Sequence, residues 1–161
     1  MDELRREGPG DAAEVEALYD SCFAPGRTAL SSYRLRDGVE PVPELSLLIR
    51  GEGGEVAAAI RYWPVRVAGT GAAWEALLLG PIAVHPTRQG EGLGAYLVQA
   101  SLDRAWRMGA RRVLLVGDAP YYGRFGFARL DGIVMPPPTN PERVLGTGEW
   151  AGVAGQVVRA A

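Results

Sequence analysis

Apolar residues are concentrated in three runs in the middle of the chain. These runs, residues 45–50, 55–67 and 73–85, are rich in aliphatic side chains and are separated by the glycine-rich turns GEGGE and AGTGA. Because the turns are short, the runs are predicted to be three strands joined as antiparallel hairpins. Gly80 and Pro81 interrupt the third strand. Proline has no N–H to donate to a neighbouring strand, so a bulge or an edge position is expected there, with backbone groups left free for another partner.

Helical spacing of apolar residues predicts two longer helices, one before and one after these strands. Asp11, followed three residues later by Glu14, is typical of a capping box and predicts the start of a helix that ends near residue 23. The core-facing residues of this helix are predicted to be Val15, Leu18 and Tyr19. The other helix is predicted over residues 92–108, with a core face made of Ala95, Val98, Leu102, Ala105 and Gly109.

Shorter elements complete the predicted fold. Strands are expected over residues 4–7, 112–116 and 152–158, and short helices over residues 28–36 and 120–125. An antiparallel meander is therefore followed by one strand–helix–strand unit and then by terminal strands. This order is typical of an α+β fold rather than of a doubly wound α/β fold. Since no repeat or linker is visible, a single domain is expected over residues 1–161.

The composition excludes several kinds of chemistry. The 161 residues contain 17 basic side chains, all of them arginine, with one histidine and one cysteine. Without lysine there is no Schiff-base catalysis and no lysine for the P-loop of a nucleotide triphosphatase. One histidine and one cysteine do not make a zinc site of the usual nitrogen and sulfur ligands, so no metal is expected.

Charge and hydropathy bear on partners and location. A net charge of −2 gives no general attraction for nucleic acid or for an anionic membrane. The longest apolar run, residues 76–84, is too short to span a bilayer, and the chain begins with the charged sequence MDELRR. A cytoplasmic location is therefore expected. The use of arginine in place of lysine, with abundant alanine and glycine, indicates a bacterial source.

The segment HPTRQGEGLGAYL, which begins at His85, has three glycines at alternate positions just before an apolar helix. A glycine-rich turn that leads into a helix N-terminus offers backbone N–H groups and the positive end of the helix dipole. A Cβ atom at these positions would hold a ligand away from the backbone. The expected ligand is therefore an anion, in particular a phosphate.

Two other interpretations of this loop are open from the residues alone. The glycines can serve only to make a tight turn between a strand and a helix. GEGLGA also matches the dinucleotide fingerprint G-x-G-x-x-G/A, and Asp118 lies near the position of the acid that binds the ribose in such proteins. In a Rossmann fold, however, the glycines follow the strand directly and several further strand–helix units are present.

Two motifs at the right separation resemble those of the GNAT superfamily of acyl-CoA-dependent N-acetyltransferases. QGEGLG, residues 89–94, fits the pyrophosphate loop [QR]-x-x-G-x-[GA], and the interrupted strand LLLGPIAVHP leads into it. Downstream, APYYGRFGF places Tyr122 four residues before Gly126 and Phe127, as in the family's second cofactor motif. The resemblance covers residues 77–130 and is greatest to the YhbS-like predicted bacterial acetyltransferases. It implies the GNAT fold, with a mixed central sheet, a splayed, bulged strand and flanking helices.

The resemblance also implies acetyl-CoA as the acetyl donor and assigns residues to each part of it. The loop amides would bind the pyrophosphate, the strand after Pro81 would pair with the pantetheine amides and stabilise the oxyanion, and an arginine would meet the remaining nucleotide phosphate. Tyr122 is the candidate acid for the leaving thiolate, because a phenol keeps its proton at neutral pH. The expected cofactor-binding residues are Ile82, Ala83, Val84, Arg88, Gln89, Gly90, Gly92, Leu93, Gly94 and Arg124; Asp118 joins them under the dinucleotide alternative.

The expected reaction is direct attack of a primary amine, on a small molecule or a protein, within a ternary complex. The base is not identified: some relatives have a carboxylate on the strand before the bulge, where this chain has Leu77, Leu78 and Leu79. Glu75 and His85 are other candidates for the base.

Two further alternatives concern the function as a whole. Cys22 is considered as an acyl-carrying nucleophile in a ping-pong scheme. The alternative to an enzyme is a catalytically quiet acyl-CoA-binding sensor. Acetyl-CoA and an amine are the expected partners, and a homodimer is left open.

Overall fold

The computed structural model of the chain describes residues 2–23 and 31–160, and of residues 31 and 32 it describes only the backbone. The strands within these ranges are β1 (Glu3–Arg6), β2 (Leu47–Arg50), β3 (Val56–Ala68), β4 (Ala73–Val84), β5 (Arg112–Val116), β6 (Ala128–Arg129), β7 (Ile133–Val134), β8 (Val144–Gly148) and β9 (Gly155–Arg159). The helices are α1 (Ala12–Cys22), α2 (Ser31–Arg34), α3 (Leu93–Arg107) and α4 (Ala119–Tyr122).

The chain divides into two compact units, and strands β3 and β4 each pass from one to the other. The first unit consists of Met1–Arg27, Pro41–Tyr62 and Gly80–Met108. The second unit consists of Thr28–Glu40, Trp63–Leu79 and Gly109–Ala161. The glycine-rich loop therefore belongs to the first unit, and Tyr122 belongs to the second.

In the first unit, strands β1, β2 and β3 form an antiparallel sheet covered by α1. Leu4 lies opposite Ile49, and Leu47 lies opposite Ile60. The face of α1 predicted from its apolar spacing is the buried one, which confirms that prediction. Its residues pack in a core made of Val15, Leu18, Tyr19, Leu48, Val56, Ala59 and Ala83.

The start of α1 differs from the predicted capping box. Asp11 precedes the helix as predicted, but its carboxylate accepts hydrogen bonds from the N–H of Gly8 at 2.7 Å and from Arg5 and Arg50 at 2.8 and 2.7 Å. Glu14 also pairs with Arg50, at 2.9 Å. The capping-box prediction is wrong because a 3₁₀ turn precedes the helix and arginines from β1 and β2 bind the carboxylates.

Helix α3 begins one residue after Gly92 and ends at Arg107, close to the predicted bounds. Its buried residues are Leu97, Val98, Ser101, Leu102 and Ala105. Ala95 is only half-buried and Gly109 is exposed, so the predicted core face is correct at three of its five positions. Ser101, an unexpected core residue, is hydrogen-bonded to the buried Tyr62 hydroxyl at 2.7 Å. This bond satisfies two buried polar groups and joins α3 to β3.

In the second unit, β5 is paired with β4 in parallel and with β8 antiparallel, and β8 also pairs with β6. Strand β9 pairs antiparallel with β3 and in parallel with β7. The core of this unit is formed by Leu35, Val65, Val67, Ala76, Leu78, Leu114, Ile133, Met135, Val144, Val153 and Val157. The sheet is therefore mixed, and the α+β prediction is confirmed. The doubly wound alternative is wrong.

Strand β8 is the main element that the sequence analysis missed. Its sequence, VLGTG, contains two glycines and follows a proline-rich loop, which is typical of a turn. A Cβ atom built on Gly146 would lie 2.7 Å from both Leu130 and Trp150, so this glycine allows close packing inside the sheet. Strand β8 is therefore stabilised by its pairing with β5 and β6 and by packing at Gly146, which local sequence patterns do not reveal.

Several predicted bounds are shifted. Strand β2 begins at Leu47 rather than at residue 45, because Pro43–Leu45 forms a 3₁₀ turn. The helix predicted over residues 28–36 is reduced to α2, and residues 28–30 lie outside the described ranges. The helix predicted over residues 120–125 is α4 followed by a 3₁₀ turn at Gly123–Phe125. The last predicted strand, residues 152–158, is observed as β9 at Gly155–Arg159.

Candidate functional site

The first unit contains both the end of β4 and the glycine-rich loop that follows it. Gly80 has φ = +123°, a conformation that residues with a side chain rarely adopt. The parallel ladder of β4 with β5 consists of Leu77–Val113 and Leu78–Leu114, and therefore lies before Gly80. The left-handed conformation of Gly80 lies where the interruption was predicted, within the continuous strand β4, and a bulge with free backbone groups stays a prediction.

Helix α1 binds two carbonyl groups of the strand segment after Gly80. The buried hydroxyl of Tyr19 donates to the carbonyl of Pro81 at 3.4 Å, and Sγ of Cys22 donates to the carbonyl of Val84 at 3.2 Å. Tyr19 lies in the core as predicted, but its contact with Pro81 was not predicted, because the two residues are 62 positions apart. A nucleophilic cysteine needs a neighbouring base that removes its proton or a positive charge that stabilises the thiolate. The carbonyl of Val84 does neither and only accepts a hydrogen bond from the Cys22 thiol. This contact disfavours the ping-pong alternative.

The loop between β4 and α3 is fixed at its first turn and open at its glycines. Nδ1 of His85 accepts a hydrogen bond from the N–H of Thr87 at 3.2 Å, so His85 caps the 3₁₀ turn Pro86–Arg88. Gly90 and Gly92 have φ values of +86° and +82°, and a Cβ atom built on either would have no heavy atom within 4 Å. These glycines are needed for their backbone conformation and face open space, as a site for a ligand requires.

The first turn of α3 supplies unpaired donors directly after these glycines. The N–H of Tyr96 donates to the carbonyl of Gly92 at 3.0 Å and closes the first turn. The N–H groups of Leu93 and Gly94 precede that bond and have no acceptor within the helix. They lie at the positive end of the dipole of a 15-residue helix. This end of the first unit is therefore suited to bind a phosphate group.

Arg88 is surrounded by carboxylates. Its guanidinium forms two hydrogen bonds with Glu91, at 2.8 and 2.9 Å, and one with Asp2 at 2.7 Å, and it lies 3.6 Å from Glu55. The hydrogen bonds from Arg88 hold the pKa of Glu91 below its usual value. The positive charge of Arg88 is therefore already balanced by carboxylates. Its contacts join the loop to Asp2 and to Glu55 in the turn before β3. A role as a phosphate ligand stays a prediction for this residue.

Arg124, the other arginine assigned to the nucleotide phosphate, has different surroundings. It is exposed in the 3₁₀ turn after α4, with its guanidinium 5.2 Å from the centre of the Tyr121 ring and 5.4 Å from that of Phe125. Within residues 2–23 and 31–160 it forms no ion pair with a carboxylate. Its charge is therefore available to an anion.

Tyr122 lies at the end of α4 in the second unit and is packed among aromatic rings. Its ring contacts Tyr121 edge-on at 4.9 Å between centres and Phe127 at 6.0 Å. Burial raises the pKa of the Tyr122 hydroxyl above its usual value of 10.0. No partner within the described ranges forms a hydrogen bond with this hydroxyl. Tyr122 therefore keeps its proton at neutral pH and has that proton available.

The remaining candidates are placed less favourably for chemistry. Asp118 is exposed, and its carbonyl accepts a hydrogen bond from the N–H of Tyr122 at 3.0 Å. The dinucleotide alternative, which gives Asp118 a ribose to bind, is wrong because the fold is not doubly wound. Glu75 is exposed, whereas Leu78 and Leu79 are buried, so the β4 segment before Gly80 carries no buried carboxylate.

Neither a metal cluster nor a membrane-spanning helix is found within the described ranges. Among residues 2–23 and 31–160, no group of three or more histidine, cysteine, aspartate or glutamate side chains is arranged to hold a metal ion. The helices in the same ranges all lack the combination of length and hydropathy needed to cross a membrane.

Comparison with known proteins gives the family. A family model described as an acetyltransferase (GNAT) domain matches residues 3–130. The uncharacterised N-acetyltransferase YhbS of Escherichia coli K12 is 32% identical over 124 residues, which are 77% of this chain and 72% of YhbS.

Solved structures agree with the sequence comparison. The crystal structure of E. coli YhbS in complex with CoA has a TM-score of 0.81 and 28% identity, and the match covers 98% of this chain and 89% of YhbS. A GNAT family acetyltransferase from Brucella melitensis in complex with acetyl-CoA has a TM-score of 0.73 and 28% identity, covering 100% and 97% of the two chains. The predicted GNAT fold is thereby confirmed, and the chain belongs to the GNAT family of acetyltransferases.

Proposed function

We propose that this protein is an acetyl-CoA-dependent N-acetyltransferase that transfers an acetyl group to a primary amine by direct attack in a ternary complex. The observation that carries the proposal is the open pair of left-handed glycines, Gly90 and Gly92, at the start of α3. Family membership and the CoA and acetyl-CoA complexes of two similar proteins support the same ligand.

Each part of the cofactor has a proposed partner. The backbone N–H groups from Gln89 to Gly94 bind the pyrophosphate, because its charge suits the free donors of the helix start. The segment Ile82, Ala83 and Val84 pairs with the two amides of the pantetheine arm, as a strand edge pairs with a peptide. Arg124 binds the remaining phosphate of the nucleotide, since its charge is not neutralised by a carboxylate.

The proposed reaction forms one bond and breaks another. The neutral amine nitrogen attacks the thioester carbon, a backbone N–H of the segment Ile82–Val84 stabilises the oxyanion, and the C–S bond then breaks as the amide forms. The Tyr122 hydroxyl gives its proton to the departing thiolate, and the proton lost by the amine nitrogen passes through water to restore the phenol. Burial of Tyr122 supports this role because it keeps the hydroxyl protonated at neutral pH.

The second candidate is an acyl-CoA-binding sensor without turnover. It is favoured by one observation, the buried Leu78 and Leu79 in the strand region where some relatives have a carboxylate. A sensor and an enzyme share the cofactor-binding residues and differ only in turnover.

Calorimetric titration with acetyl-CoA, followed by a panel of amines assayed for release of CoA, tests the proposal. The panel consists of polyamines, aminoglycosides, amino acid amides and short peptides with free N-termini. The wild-type protein is expected to bind acetyl-CoA and to acetylate at least one amine. Tyr122→Phe is expected to lower turnover by between about 10²- and 10⁴-fold, the usual contribution of a general acid, with little change in acetyl-CoA affinity.

The outcomes separate the candidates. Absence of acetyl-CoA binding overturns both candidates. Binding without turnover of any amine favours the sensor. Equal turnover by wild type and Tyr122→Phe removes Tyr122 from the mechanism and leaves the acetyltransferase proposal intact.

A further inference from the structure

Gly117 follows strand β5 and lies against the ring of Tyr122. A Cβ atom built on Gly117 would be 2.6 Å from Cε2 and 2.9 Å from Cδ2 of that ring. Non-bonded carbon atoms pack at about 3.5–4.0 Å, so even the smallest side chain at position 117 collides with one edge of the phenol. The ring, together with Cδ1 of the buried Leu115 at 2.9 Å, occupies the space that a side chain at position 117 would fill.

The backbone on both sides of this contact is fixed. The N–H of Gly117 donates to the carbonyl of Arg143 at 2.9 Å. The N–H of Tyr122 donates to the carbonyl of Asp118 at 3.0 Å, and its carbonyl accepts from the N–H of Phe127 at 3.3 Å. Because these bonds hold the backbone and Leu115 is buried in the core, we expect a collision at position 117 to be relieved mainly by rotation of the ring.

Aromatic neighbours enclose the ring on other sides. The ring centre of Tyr121 lies 4.9 Å away, that of Phe127 6.0 Å away and that of Phe125 6.4 Å away. Tyr122 is thus held between these rings and the bare backbone of Gly117. A side chain at position 117 would press on this ring and on the hydroxyl that it carries.

We propose that Gly117 is a positioning residue, whose missing side chain sets the place of the Tyr122 hydroxyl; this inference rests on the proposed role of Tyr122 as the acid. In Gly117→Ala the nearest ring carbon must move from 2.6 Å to at least 3.4 Å, the start of ordinary contact. A displacement of about 1 Å in a catalytic group costs on the order of 10²-fold in rate. We expect kcat to fall by about 10- to 10²-fold, with the KM for acetyl-CoA unchanged.

The matched control is Gly123→Ala. Gly123 is the residue after Tyr122 and has helical backbone angles, φ = −56° and ψ = −27°. A Cβ atom built on it has no heavy atom within 4 Å. The control therefore adds the same methyl group to the same segment without touching the ring.

The position of the ring is followed by NMR of protein labelled with ¹³C in its six tyrosine rings, from the chemical shift of the ring and its NOEs to the neighbouring rings. The signal missing from Tyr122→Phe identifies Tyr122. We expect this signal to shift in Gly117→Ala and to stay in place in Gly123→Ala. A variant that is only less stable unfolds at a lower temperature without moving the signal at 20 °C.

Kinetics complete the test, with CoA release measured on an amine from the panel above. The inference predicts that Gly117→Ala slows wild-type protein but not Tyr122→Phe, since the latter has no hydroxyl to position. An unchanged Tyr122 signal in Gly117→Ala overturns the inference. So does a shifted signal with unchanged kcat. Failure of the wild-type protein to bind acetyl-CoA refutes the proposed function, and the ring signal then still decides whether Gly117 positions Tyr122.

Discussion

At the scale of single residues, the two arginines assigned to the nucleotide carry the same charge in different surroundings. Arg88 has bonds to Glu91 and Asp2 and lies near Glu55. Arg124 rests on aromatic rings and has no carboxylate partner within the described ranges. A phosphate that approached Arg88 would have to compete with carboxylates already in place, whereas Arg124 has no such competitor. Availability of charge separates the two residues, although the sequence assigns them the same role.

The two arginines are therefore expected to respond differently to loss of the ribose phosphate of CoA. Arg124→Gln should weaken CoA binding by about fivefold, which corresponds to the roughly 1 kcal/mol of a good exposed ion pair, and should leave binding of dephospho-CoA unchanged. Arg88→Gln removes the bonds from Arg88 to Asp2 and Glu91 that hold the loop. It should therefore weaken the binding of both ligands equally. Calorimetry with the two ligands measures both effects.

Three results of that experiment contradict the assignment. Equal losses for CoA and dephospho-CoA in Arg124→Gln would show that Arg124 does not bind the ribose phosphate. A loss confined to CoA in Arg88→Gln would assign the phosphate to Arg88 instead. Unchanged affinity for both ligands in both variants would remove the two arginines from the site.

At the scale of elements, the sequence predicts what depends on neighbours in the chain. The apolar face of α1, strand β5 and the glycine loop before α3 follow from local periodicity and local backbone needs. The capping box failed because Arg50, 39 positions from Asp11, binds its carboxylate. The packing of Gly146 against Leu130 and Trp150 and the contact of Tyr19 with Pro81 are equally non-local. Candidate ligands of the cofactor can therefore be proposed from motifs, whereas long-range contacts such as that of Tyr19 with Pro81 cannot.

The strongest effect expected at this scale is the loss of CoA binding when Gly92, at the start of α3, is replaced. Gly92→Val places a branched side chain in the open space before the helix, and we expect it to abolish detectable CoA binding. The loss of two charge-assisted hydrogen bonds alone, at about 1.5–3 kcal/mol each, weakens binding by about 10²- to 10⁴-fold. Calorimetry with CoA measures this change.

Gly109→Val is the matched control at the other end of the same helix. Gly109 has φ = +94°, and a Cβ atom built on it also has no heavy atom within 4 Å. Both variants carry the same left-handed strain, about 1–2 kcal/mol, and both melting temperatures should fall by roughly 2–8 °C. Only Gly92→Val should lose CoA. If it retains CoA, the phosphate does not bind at this loop.

At the scale of the whole molecule, ion pairs that lower the pKa of carboxyls contribute to the response to acid. The 17 basic and 19 acidic side chains nearly balance, so long-range repulsion is weak near neutral pH. Hydrogen bonds lower the pKa of four carboxyls. For Asp11 the main donor is the N–H of Gly8. For the three glutamates the donor is an arginine: Arg50 for Glu14, Arg88 for Glu91 and Arg111 for Glu149. The first three belong to the first unit and only Glu149 to the second. Arg50 binds both Asp11 and Glu14, and so links α1 to β2.

The sign of the pH effect follows from these lowered pKa values. In the unfolded chain these carboxyls take up protons near their ordinary values, 3.8 for Asp11 and 4.5 for Glu14, whereas in the folded protein they do so at lower pH. Their contribution to stability is therefore complete well above pH 4.5 and is lost as the pH falls through the folded values. Arg50→Gln removes a partner of both carboxyls, and we expect its melting temperature to fall less than that of wild type between pH 7 and pH 3.

Arg66→Gln serves as the control, because Arg66 is an exposed residue of β3 with no carboxylate partner in the described ranges. Its melting temperature should follow that of wild type at every pH. Thermal denaturation followed by circular dichroism, at steps of half a pH unit, measures the melting temperature of all three proteins as a function of pH. Equal losses in wild type and Arg50→Gln would show that acid acts elsewhere. Hydrogen exchange at pH 3 gives an independent measurement, because protection in α1 and β2 of the wild type should fall first if acid breaks the Arg50 ion pairs.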